Sequence, residues 1–367
     1  MFGRSPHPVL ALTGHGVQAD DWPGAAWEQL RATRWKPPGA AAGDDRRRRT
    51  YLAALGQAEQ MFRAAATVGP ATRPLHLFYG LSQAGRAIAA AATKIQADDG
   101  WQLNGHDIKT MPKTMGGPLA DIQVRSDRAG GAGSFVRLSE LLGSPLLPES
   151  RPATLSALWD LLPENGRSPL SNNDKARRTP LRIDHRDLFE EPHPLASVPV
   201  IGFPPWVVTS PHGRQNLDTD LEAFPEAQDY HSYRRTGDGP DATPIFDHHN
   251  DGWGELLMHW KMPEGRPGSP VERASLLEAR TRPYCGTWYF FPALSTTSCS
   301  MHPLMAWWAV LHTLSMLARY QPAEWAGHID VNSSRNAVPL ERFLKLAIDV
   351  VPKVITEAIE QAALPAH

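Results

Sequence analysis

Residues 302–320 read HPLMAWWAVLHTLSMLARY and residues 340–363 read LERFLKLAIDVVPKVITEAIEQAA. In the first stretch Leu304, Trp307, Trp308, Leu311, Ser315 and Ala318 recur at helical spacing, and Pro303 suits the first helical position. In the second, Phe343, Leu346, Ala347, Val350, Val351, Val354, Ile355 and Ile359 make an apolar face. Pro352 lies inside it and predicts a kink, because proline lacks the backbone donor and crowds the preceding turn. Pro322 to Trp325 predicts a short turn between the two helices. The apolar run Met305–Leu317 carries His312, Thr313 and Ser315 and stays below ~18 uninterrupted apolar residues, so no membrane-spanning helix is expected.

A second helical pair stands near the other end. Asp44-Asp45 can cap a helix from Arg46 to about Thr67, with Tyr51, Leu52, Leu55, Ala58 and Phe62 on one side. Gly69-Pro70 breaks it. A further helix is predicted from about Pro74 to Lys94, ending near Asp98-Asp99-Gly100. Its alanine-rich second half favours helix and lets a neighbour pack closely. Arg46–Arg49 fall in a first helical turn, the unfavourable end for cations. They read as a solvated face or as a contact for an anion or nucleic acid. Residues 1–45 read as irregular, with a short helix at Ala25–Arg34 and a linker at Pro37-Pro38 and 39–43.

The middle changes character. ADIQVRSD (120–127) alternates like a strand. GSFVRLSELLG (133–143) predicts a helix capped at Ser134 or Ser139, and TLSALWDLLPE (154–164) one capped by Thr154 and stopped by Pro163. VPVIGF (198–203), PWVVTS (205–210), ELLMHWKM (255–262) and TWYFFPAL (287–294) read as strands of an antiparallel sheet. Arg214–Asp241 reads as a long surface loop. The expected fold is α+β and predominantly α, with N- and C-terminal helical hairpins packed together around a turn-rich, partly β segment. The segments are 1–45 (irregular), 46–164 (helical with short β elements), 165–300 (a Pro/Gly-rich insertion) and 301–367 (helical, forming one compact unit with 46–164).

Composition narrows the function classes. Lys and Arg number 37 against 39 Asp and Glu, a net charge of -2, so there is no global basic field for nucleic acid. Two cysteines allow at most one disulfide, and the N-terminus does not read as a signal peptide, so a cytoplasmic location is expected.

Several segments together resemble the YaaC-like family of bacterial proteins. They are PLHLFYGLSQAGRAI (74–88), Gly105-His106, GSFVRLSELLG (133–143), ATLSALWDLLPE (153–164), HTLSMLARYQPAEW (312–325) and the final helix. Asp107 follows His106 where the family pattern carries glycine. The family has no established activity, so the resemblance implies a helical fold and a bacterial cytoplasmic setting. Binding residues suggested within these segments are Arg86, His106, Arg319, Tyr320 and Trp325. The helical ends also look like HEPN-like helical domains, whose R-x4–6-H pattern would make Arg319 and His328 catalytic in a ribonuclease or phosphodiesterase. Here the two stand further apart, with Pro322 between them.

Other constellations carry weaker signals. Gly80-Leu-Ser82-Gln-Ala84 imitates a nucleophile elbow, with Gly14-His15-Gly16 as an oxyanion loop, and predicts a serine hydrolase through Ser82. Cys285, Cys299 and His302 offer soft zinc ligands without an evident fourth. Asp247-His248-His249-Asn250-Asp251 reads as a polar turn before a strand, and GGAGSF lacks the lysine of a phosphate-binding loop. No cofactor is assigned. The leading expectation is a binding protein, with or without a cryptic activity, that recognises a partner protein, a further copy of itself, or a nucleotide or RNA. A role in stress or phage defence is the biological setting envisaged.

Overall fold

The computed structural model describes residues 24–95, 100–184, 191–210, 212–232, 235–236 and 243–365. Gly14, His15 and Gly16, and the acidic pair Asp98-Asp99, lie outside the described residues.

The N-terminal pair forms as its caps and breakers dictate. After α1 (Ala25–Trp35), α2 spans Asp45–Thr67 and α3 spans Arg73–Ala91. The Asp44 carboxylate accepts from Arg46 N and Arg47 N at 2.8 and 3.1 Å, satisfying two orphan donors of α2. Arg47 is buried and donates to the carbonyls of Ala92 and Ile95. That member of the arginine run is structural, and neither of the two readings offered for the run describes it. Helix α3 is the axis of the molecule, packing on α2, α9 (Pro303–Tyr320) and α11 (Ala337–Ala363). Gly80 and Gly85 make this possible. A Cβ on Gly80 would lie 2.7 Å from the Phe62 ring, and one on Gly85 2.7 Å from the Trp308 ring.

The C-terminal pair is α9 (Pro303–Tyr320) and α11 (Ala337–Ala363), with α10 (Pro322–Ile329) where the turn was expected. His302 caps α9, its Nδ1 accepting from Leu304 N at 3.1 Å. Helix α11 runs on through Pro352, and its buried face also takes in Leu340, Leu344 and Ile348, while Leu346 and Val350 are only half-buried. The Phe343 ring lies 4.7 Å from Trp307 and 4.5 Å from Trp159, contacts worth about 0.5–1.5 kcal/mol each beyond area burial. Trp159 belongs to α5 (Leu155–Asp160), capped by Thr154, whose hydroxyl accepts from Ala157 N at 3.3 Å. Helix α4 spans Ser134–Leu142 with Gly133, not Ser134 or Ser139, at its N-cap.

Strands β1 (Ile108–Thr110), β2 (Gln123–Ser126) and β3 (Ala153–Thr154) form a small antiparallel sheet against these helices. The larger sheet has its own hydrophobic core. Its strands are β4 (Leu181–Ile183), β5 (Leu195–Phe203), β6 (His231–Ser232), β9 (Asp247–His248), β10 (Gly254–Lys261), β11 (Arg282–Tyr284) and β12 (Thr287–Phe290). They run β11-β12-β4-β5-β10-β6, with β9 also on β10, and every pairing is antiparallel. A separate ribbon pairs β7 (Arg235–Thr236) with β8 (Thr243–Pro244). Two expectations fail here. Residues 205–208 form a helical turn, α6 (Pro205–Val208), because Pro205 fits a first helical position and cannot donate to a ladder. The expected surface loop contains α7 (Gly213–Leu221), whose Leu217 and Leu221 join the sheet core. Helix α8 (Pro270–Arg280) covers the same sheet and is held by a Ser269–Glu272 capping box. Among the described residues no helix is long and apolar enough to cross a membrane.

Candidate functional site

Three of the residues singled out from sequence converge on one surface spot. Tyr79 and Arg86 are seven residues apart on α3, so they share a face. His312 and Arg319 are related in the same way on α9. The close approach at Gly85 sets these two faces side by side, and Arg319 Nη1 donates to the Tyr79 hydroxyl at 2.8 Å. The Arg319 guanidinium also lies 5.0 Å from the centre of the Tyr320 ring. Arg86 Nη1 donates to Leu103 O at 3.3 Å, while its Nε is enclosed with no partner among the described residues.

The third side comes from the segment before β1. Gly105 O accepts from Ser134 N and His106 O from Phe135 N, at 3.2 and 3.0 Å, which fastens this segment to the start of α4. Asp107 has φ +50°, a left-handed conformation that glycine adopts without strain. Its carboxylate holds that conformation by accepting from Gly133 N at 2.6 Å. Glycine is required at 133 because a Cβ there would lie 2.1 Å from Asp107 Cγ. The glycine turn ahead of α4 therefore serves Asp107. Asp107 thus combines a glycine-like backbone conformation with a side-chain fastening to the start of α4.

His106 is thereby placed with its edge in solvent and its ring 5.4 Å from Phe78. Below lies His312, its ring 5.2 Å from Phe78 and 6.5 Å from His106. His312 is buried, 3.4 Å through Nδ1 from the Thr110 hydroxyl, and burial pushes it down to about 3, so it is neutral at pH 7. His106 is also held below the ordinary imidazole range. Burial is the largest cause, followed by the charges of Arg86 and Arg319, with Asp107 opposing. Among the described residues neither arginine forms an ion pair, and the Asp107 carboxylate is turned to Gly133. The spot thus carries two uncompensated guanidiniums, a poised imidazole and a phenol over an aromatic floor. Such a set suits an anion, phosphate above all.

Of the other predicted residues, Tyr320 adjoins the spot through Arg319 and the rest lie apart from it. Trp325 is buried and its indole donates to Pro70 O and Ala71 O, tying α10 to the α2–α3 turn. Tyr320 is 54% exposed beneath Arg319. His328 is half-buried in the last turn of α10, shifted down by burial, with Glu324 the one charge acting on it; Arg319 acts on His106 instead. Ser82 is buried in the middle of α3, so the strand–turn–helix of a nucleophile elbow is not formed around it. His302 uses both ring nitrogens, Nδ1 on Leu304 and Nε2 3.1 Å from Gln361 Oε1. Cys285 is half-buried with its thiol pushed up to about 12, and Cys299 is exposed. Among the described residues no three His, Cys, Asp or Glu side chains gather as a metal-holding group. Tyr79 and the partnership of His312 with Arg319 escaped the sequence reading, although their seven-residue spacing was visible.

No curated protein and no solved structure matches the chain. The family model described as YaaC-like Protein matches residues 26–359, which take in α3, α9 and the His106 segment. The chain belongs to the YaaC-like protein family.

Proposed function

We propose that the chain is a binding protein for a phosphate-bearing ligand, a nucleotide or RNA, held by Arg86, His106 and Arg319. The observation that carries this reading is the convergence of two unpaired arginines on His106. Arg86 is half-buried with no carboxylate partner among the described residues, Arg319 is exposed, and guanidinium forks match phosphate oxygens. Titration calorimetry with nucleoside mono-, di- and triphosphates and a short single-stranded RNA tests it. Each of Arg86→Ala and Arg319→Ala is expected to weaken binding by about tenfold or more, since a hydrogen bond to a charged group contributes about 1.5–3 kcal/mol. Variants that bind as tightly as the parent would refute the site.

A second reading, phosphodiester cleavage, is favoured by one observation: the histidine beside Arg319 in space is His106, held below the ordinary imidazole range by burial and the two arginines and half open to solvent. Incubation of the protein with a labelled RNA, alongside His106→Ala, separates the readings. Binding without cleavage leaves the first and removes the second.

A further inference from the structure

A cleft of about 530 Å³ opens where the segment 166–179 leaves the helical core and passes α6 and the start of β10. Junctions between cores are favoured places for small ligands, and this volume lies in the range of small-molecule sites. Its chemistry differs from that of the His106 spot. Every arginine here has a carboxylate. Arg177 Nη2 lies 3.0 Å from Asp160, Arg178 Nε 3.3 Å from Asp220, and Arg167 pairs with Asp251. The cleft therefore offers no free cation to a phosphate.

What it offers is aromatic surface. Trp206 and Trp253 line it together with prolines 169, 204 and 205. Guanidiniums lie over both indoles, Arg178 at 5.2 Å from the Trp206 ring centre and Arg167 at 5.8 Å from that of Trp253. Stacked indole and guanidinium planes accept a further flat ring with little regard to its substituents. The hydrogen-bonding groups are neutral or matched. Among the described residues the Thr179 hydroxyl has no hydrogen-bond partner, and neither has the enclosed Trp206 indole N–H. Asp220 brings a carboxyl that burial lifts to about 7, able to donate or accept near neutral pH.

We infer that this cleft is a second ligand site, taking an uncharged planar heterocycle of the nucleobase type against Trp206 and Trp253. It does not depend on the phosphate site. Equilibrium dialysis of the full chain against adenosine, guanosine, cytidine and uridine, which carry no phosphate, tests it. Saturable uptake of at least one nucleoside is expected, weakened about tenfold or more in Trp253→Ala. Arg167→Ala, at a side chain 68% exposed, gives a second variant that leaves the core intact and should also weaken uptake. Arg86→Ala should leave it unchanged. No uptake at millimolar nucleoside overturns the inference, as does uptake that survives both Trp253→Ala and Arg167→Ala. Uptake abolished by Arg86→Ala overturns it too, by placing the nucleoside at the His106 spot. None of these outcomes bears on whether inorganic phosphate binds at Arg86 and Arg319.

Discussion

Gly85→Ala should destabilise the protein, against the ordinary preference of helices for alanine. In an exposed helix this change gains about 0.8–1.0 kcal/mol. At Gly85 the new Cβ would stand 2.7 Å from Trp308 Cζ3 and 2.8 Å from both Trp308 Cη2 and Leu138 Cδ1. Trp308 and Leu138 are fully buried, so neither can swing aside. Overpacking of this kind costs about 1–3 kcal/mol, so set against the propensity gain it leaves a net loss of up to about 2 kcal/mol. Gly56→Ala on α2 is the matched control. Its nearest neighbour is Arg34 Nη2 at 3.3 Å, the movable end of a long side chain, so about 0.5–1 kcal/mol of the propensity gain should survive. Urea unfolding of both variants, with m-values compared to the parent, measures the difference. A Gly85→Ala protein as stable as the parent would show that the α3–α9 approach is not tight. The account of how Arg86 and Arg319 come to share a site would fall with it.

Three further outcomes follow from the electrostatics. Arg319→Ala removes a cation that disfavours the charged imidazole, so the NMR titration midpoint of His106 should rise; a fall or no change would mean the two groups do not share a field. His312, at about 3 in the fold against 6.5 unfolded, must take up a proton on acid unfolding, so its contribution to stability is lost as pH falls below about 6.5. Relative to His312→Leu, the parent should lose roughly 2–3 kcal/mol between pH 7 and 4.5, read from chemical denaturation at the two pH values. Arg178→Met removes the cation beside the buried Asp220 carboxyl and should cost about 1–1.5 kcal/mol more at pH 8 than at pH 5, since Asp220 escapes a larger penalty by taking up a proton. Because Asp220 already sits near 7, protonation relieves that cost at pH 5, and equal losses at both pH values would refute the pairing.

The helices were legible because their signals are local. Asp44, Thr154 and Pro303 each stand at the residue where a helix begins, and the 3.6-residue period of α9 and α2 needs no tertiary knowledge. The failures have equally local causes. PWVVTS is rich in β-branched residues, but Pro205 preset a helical turn and propensity yielded. Residues 213–221 are polar enough to pass for a loop, and only Leu217 and Leu221 face the sheet core. The candidate site was half legible. Arg86, His106 and Arg319 each stood inside a family-like segment, but no linear spacing relates residue 86 to residue 319.

That relation is built by residues without any chemistry of their own. Gly80 admits the Phe62 ring and Gly85 admits Trp308, so α3 lies against both α2 and α9 at a distance that longer side chains would forbid. Gly133 admits the Asp107 carboxylate, which fixes the segment carrying His106 over Phe78. A reader searching for reactive residues passes over glycines, and one searching for folds treats them as breakers. Here three of them set the positions of two guanidiniums and an imidazole. The functional groups are therefore only as well placed as the packing beneath them, and a loss of anion binding in Gly85→Ala would come from α9 moving away rather than from any missing contact with the ligand.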